Sequence, residues 1–148
     1  MNVSFSGSGR DARKGATVSR PPGVTALSLF FAIGAITSGL SAVMLLFPGC
    51  ALEPLWRLNP RAHDGFASMG SWAVLLMAAV CAACVAAAVG LWRLRRWGLW
   101  MALAILSVNL AGDTANALLA HDWRTLIGIP IGGAMILYLL ARRPLFAW

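Results

Sequence analysis

Four apolar stretches occupy most of this 148-residue chain, and its basic residues alternate between the segments that join them. Arg10, Arg13, Lys14 and Arg20 precede the first stretch, Arg93, Arg95 and Arg96 separate the second from the third, and Arg142 and Arg143 follow the fourth. The two remaining connections hold only Arg57, Arg61 and Arg124, offset by Glu53, Asp64 and Asp122. Lysine and arginine accumulate on the cytoplasmic side of membrane proteins. The alternation therefore predicts an all-α fold: a four-transmembrane-helix bundle with N and C termini cytoplasmic.

Composition agrees, because 59% hydrophobic residues against 11% charged would leave a soluble domain of this length short of polar surface, whereas a bilayer solvates the excess. A net charge of +7 invites comparison with nucleic-acid binders. Most of the twelve basic residues, however, fall in the three segments assigned to the cytoplasm, where they set topology and meet anionic headgroups. The lipid bilayer is the expected partner, and nucleic acid is not.

About 20 apolar residues span the ~30 Å hydrocarbon core. The stretches fall at about 24–47, 69–92, 97–120 and 125–141, the last being the shortest. Residues 1–23, polar and rich in Gly, Ser and Arg, read as a disordered basic cytoplasmic arm ahead of the 24–148 membrane domain. The first stretch is too long for a signal-peptide core of 7–15 residues and is expected to remain as an anchor. Arg93-Leu94-Arg95-Arg96 is long enough only to turn, so the second and third helices should form a hairpin. Tryptophans fall at the boundaries: Trp56, Trp72 and Trp123 on the outer side, Trp92, Trp97, Trp100 and Trp148 on the inner.

The sizeable outer segment, Pro48 to Ser68, mixes Leu52, Leu55, Trp56 and Leu58 with Glu53, Arg57 and prolines, as a short interfacial helix or turn would. Asn59-Pro60 then supplies an N-cap followed by proline at the first helical position. The second helix is thus expected to begin outside the bilayer, carrying Arg61, His63 and Asp64.

Helices in lipid pack through small residues, because no hydrophobic drive joins them. The second helix offers Ala78, Ala82, Ala86 and Gly90 four apart on one edge and Ala79, Ala83 and Ala87 beside it, the first Gly34, Ser38 and Ala42, and the fourth Gly128 and Gly132. Pro130, between those two glycines, is expected to kink the fourth helix and act as a flex point.

Chemistry is sparse. Asn109, Asp113 and Asn116 recur at spacings of four and three, which places them on one face of the third helix as an intramembrane polar track. An intramembrane carboxyl is a candidate functional group, since a charge at the bilayer centre costs about 2.5–3.5 kcal/mol on insertion scales. The track suits register-fixing hydrogen bonds to a neighbouring helix, a proton- or cation-coupled path, or a ligand site. Cys81-Ala82-Ala83-Cys84 has redox spacing, but its apolar mid-helix setting and the single further cysteine, Cys50, favour small buried hydrophobes. His63 and His121 lack tight ligand spacing, so no metal is expected. With no Ser/His/Asp cluster and no phosphate-cradling loop, no catalytic residue and no cofactor is expected either.

From Arg20 onward the chain resembles small bacterial four-helix integral membrane proteins to which no activity is attached. The likeness rests on Leu55-Trp56-Arg57-Leu58-Asn59-Pro60, on Gly112-Asp113 with Asn116, and on Asp122-Trp123-Arg124-Thr125-Leu126-Ile127-Gly128-Ile129-Pro130. It implies a multi-pass protein of the bacterial inner membrane. Size and sparse chemistry point to a non-enzymatic structural or accessory subunit, bound to other membrane subunits or to itself. The alternative is a small oligomeric transporter or channel using Asn109, Asp113 and Asn116.

Overall fold

The computed structural model describes residues 20–119 and 127–146. Expectations for the N-terminal arm and for His121, Asp122, Trp123, Arg124 and Trp148 lie outside the described residues. Within them the chain is all helical, without strands: α1 (Pro22–Leu46), a 3-10 turn (Glu53–Leu58), α2 (Pro60–Met69), α3 (Ser71–Trp92), α4 (Arg96–Leu119), α5 (Gly128–Ala141) and a final 3-10 turn (Arg143–Leu145).

At 1.5 Å per residue, α1, α3 and α4 run about 37, 33 and 36 Å, longer than the ~30 Å hydrocarbon core. These three are long and apolar enough to cross a membrane, while α5 is a shorter apolar helix of 14 residues, about 21 Å.

Pro21 and Pro22 start α1, where a proline breaks no helical hydrogen bond. Asn59 caps α2 by accepting from the Ala62 amide at 3.2 Å, with Pro60 at the first position. The α2 helix does not run on into α3. Gly70, at φ +57° and ψ −136°, takes a conformation open essentially to glycine and breaks α2 from α3.

The turn between α3 and α4 closes with two backbone bonds, Arg95 N–H to the Gly90 carbonyl at 2.9 Å and Leu94 N–H to the Leu91 carbonyl at 3.0 Å. This is a Schellman cap, with Leu94 at φ +52° where glycine is usual. Leu94 is half-buried against the core, which offsets its backbone cost.

The α3 helix lies between α1 and α4, and α4 packs in turn on α5. Cys84, Ala87 and Leu91 of α3 join Leu27, Phe31 and Ala35 of α1 and Leu99, Ala102, Leu103 and Leu106 of α4 in one buried core. Ser28 Oγ donates to the Ala88 carbonyl at 2.7 Å, a hydrogen bond between α1 and α3. Gly90 and Gly98 touch backbone to backbone where α3 crosses α4.

Burial is uneven along the bundle. On α4 no described side chain beyond Leu106 is buried, and on α5 only Leu139 is. The α1–α3 pair stays closed as far as Met44 and Ala73. All four long elements therefore meet at the arginine-bearing end, and the α4–α5 pair diverges from α1–α3 toward the other.

Candidate functional site

The divergence opens a cleft of about 560 Å³ bounded by α1, α3 and α4. Its closed end is apolar, formed by Phe31, Cys84 and Met101, and its polar groups come from Thr37, Ser38 and Ser41 of α1 and Asn109 of α4. The hydroxyls are internally satisfied: Thr37 donates to the Gly34 carbonyl at 3.0 Å, Ser38 to the same carbonyl at 2.5 Å and Ser41 to that of Thr37 at 3.0 Å. Back-bonding of this kind leaves each hydroxyl oxygen free to accept.

Asn109 is exposed, with no hydrogen-bond partner among the described residues. It lies about 20 Å along α4 from Arg96, well inside the apolar span. Asp113, one turn further, is half-buried, and its carboxyl sits against the bare backbone of Gly128 on α5. Any side chain at Gly128 would occupy the carboxyl's place. Asn116 is exposed, about 30 Å along α4 from Arg96. The three track residues thus share one helix but not their surroundings: Asn109 lines the cleft, Asp113 packs on α5 and Asn116 is exposed. Thr114 is absorbed locally, donating to the Leu110 carbonyl at 2.7 Å.

The small residues are likewise divided. Gly34 and Ser38 line the cleft and abut α3, and Ala42 is half-buried. Gly90 is buried against α4, Ala86 is half-buried, and Ala78 and Ala82 are exposed. Gly128 and Gly132 face α4, against Asp113 and Leu110. Three glycine contacts escaped the sequence: Gly98 on Gly90, Gly39 beneath the Cys81 thiol and Gly23 against the Tyr138 ring. Gly98 stands beside tryptophans and the basic turn, where no four-residue spacing marks it.

Pro130 occupies the third position of α5. Amides of a first helical turn have no intrahelical acceptor, so within the described α5 proline at this position removes no hydrogen bond.

Cys81 and Cys84 are both free thiols in the α1–α3 seam. The Cys81 thiol donates to the Ala35 carbonyl at 3.2 Å, and Cys84 is buried. Around the Glu53–Leu58 turn, Cys50, Glu53, Trp56, Arg57 and His63 bound a second hollow of about 480 Å³. Trp56 packs on His63 and Phe66, with ring centroids 5.1 and 5.9 Å apart, and His63 Nδ1 lies 3.9 Å from Asp64. No group of three His, Cys, Asp or Glu among the described residues is placed to hold a metal ion.

No protein-family model, curated protein or solved structure matches the chain.

Proposed function

We propose that the protein is a four-span integral membrane protein of the bacterial inner membrane, termini cytoplasmic, serving as a non-enzymatic accessory subunit of a membrane assembly. Asn109 carries the proposal. Its amide stands exposed at bilayer depth, unpartnered within the described chain, and an unsatisfied polar group in hydrocarbon costs several kcal/mol. A polar group from another helix removes that cost, whether from a different subunit or a second copy. Gly34, Ala83 and Ala104, small residues lining the same cleft, leave room for such a helix to approach closely.

The test is a mild-detergent pull-down from native membranes with the wild type and with Asn109→Leu. A stoichiometric companion that is lost with the amide supports the subunit reading. Wild-type protein recovered without any companion, and without copies of itself, refutes it.

A second reading, a small oligomeric transporter or channel, is favoured by the position of Asn109 in the cleft with Asp113 one turn beyond. Under it, Asp113→Asn abolishes proton- or cation-dependent flux in vesicles. Unchanged flux in that variant removes this reading.

A further inference from the structure

The arginine-bearing end has a second groove, of about 530 Å³, between α1 and α5. Its walls are Ala26, Leu27 and Phe30 on one side and Ile131, Ala134 and Met135 on the other, almost wholly apolar. It stops where the Tyr138 ring closes on Gly23. Just past that stop, the Arg142 guanidinium lies 5.8 Å from the Tyr138 ring centroid. Arg20, three residues before Gly23, is held 4.2 Å over the Trp92 ring. The groove therefore passes from hydrocarbon surface to guanidinium within a helical turn.

Charge at this end is one-sided. Arg20, Arg93, Arg142 and Arg143 gather there, while the described acids, Glu53, Asp64 and Asp113, all lie toward the opposite end. Arginine on an aromatic face keeps its N–H edge for an acceptor, and a phosphodiester fits that edge as a bidentate partner.

We propose that the α1–α5 groove binds one anionic phospholipid, an acyl chain lying between Ala26 and Ala134 and the phosphate meeting Arg142, with Arg20 contributing from the α1 side. An amphiphile is required because the apolar walls and the cationic rim are continuous. The negative charge answers the guanidinium groups of Arg142 and Arg20 at the rim. The site rests on the chain being embedded in a bilayer, which recovery in the membrane fraction scores separately.

Native mass spectrometry of the detergent-purified protein tests it, by titration with phosphatidylglycerol and with phosphatidylcholine of the same acyl chains. The expected result is one phosphatidylglycerol bound at least tenfold more tightly than phosphatidylcholine. Arg142→Gln should weaken it about fivefold, the worth of one interfacial cation. Ala134→Phe, which fills the groove far from any arginine, should release the lipid, whereas Arg93→Gln, at the same end but outside the groove, should not. Glycerol phosphate without acyl chains should not bind. Equal affinity for the two lipids, equal weakening by Arg93→Gln and Arg142→Gln, or binding of glycerol phosphate alone would each overturn the site. If Ala134→Phe does not fold, the comparison of the two arginine variants decides.

Discussion

The Gly90–Gly98 contact gives the sharpest expectation for stability. An added Cβ at Gly98 would stand 2.7 Å from the Leu91 amide nitrogen, with the Gly90 α-carbon and carbonyl carbon closer still. These are backbone atoms of a packed helix and cannot rotate away, so Gly98→Ala must push α3 and α4 apart by on the order of 1 Å. A gap of that size forfeits a quarter to a half of each dispersion contact it opens. The contacts at stake include those of Leu91, Leu99, Ala102 and Leu103, each almost fully buried. Overpacking typically costs about 1–3 kcal/mol, and a backbone clash across a whole seam belongs at the top of that range, so we expect a loss of about 3 kcal/mol. Gly112→Ala on the same helix is the control, since its Cβ meets nothing within 4 Å and helix propensity favours alanine by up to about 1 kcal/mol. Reversible unfolding in mixed micelles, titrated with a denaturing detergent, measures both. If Gly98→Ala unfolds at the same midpoint as Gly112→Ala, the close crossing of α3 and α4 is wrong.

Three further outcomes follow from the geometry. Ser28→Ala, which removes the hydrogen bond to the Ala88 carbonyl, should cost about 0.6–1 kcal/mol in the same titration, and a loss above 3 would mean that Ser28 holds more than one partner. Asn59→Ala should weaken α2 by about 1 kcal/mol, seen as faster amide exchange at Ala62 and His63 with α3 unaffected; equal exchange would deny the cap its role. A membrane-impermeant thiol reagent applied from outside should modify Cys50 and spare Cys81 and Cys84, which lie in the α1–α3 seam. Protection of Cys50 from outside together with labelling from the cytoplasmic side would invert the proposed orientation.

Much of this arrangement was legible at the ends of helices and little of it along their sides. Asn59-Pro60 and the Arg93–Arg96 turn are local signals, in which a few adjacent residues decide the backbone, and both elements form as expected. The second long helix illustrates the opposite case. From Trp72 to Trp92 it is apolar all round, so periodicity cannot say which side meets a neighbour. Small-residue spacing pointed to two adjacent edges, Ala78–Gly90 and Ala79–Ala87, and the buried positions Ala73, Cys84, Ala87, Gly90 and Leu91 take one residue from each, because alanine is frequent enough to satisfy the rule on several faces at once. The polar track was found because Asn109 and Asp113 are rare in such surroundings. That Asp113 turns toward Gly128 while Asn109 enters the cleft depends on where α5 crosses, which no residue of α4 encodes.

Because the helices meet at one end and part toward the other, the molecule has the mechanics of a lever. Asp113 stands fifteen residues beyond the Gly98 crossing, an arm of about 22 Å. Tilting α4 by about 5° at its pivot would carry the carboxyl sideways by about 2 Å, enough to make or break a hydrogen bond. A partner, a lipid or a substitution acting at the arginine end could in this way set the width of a cleft it never touches.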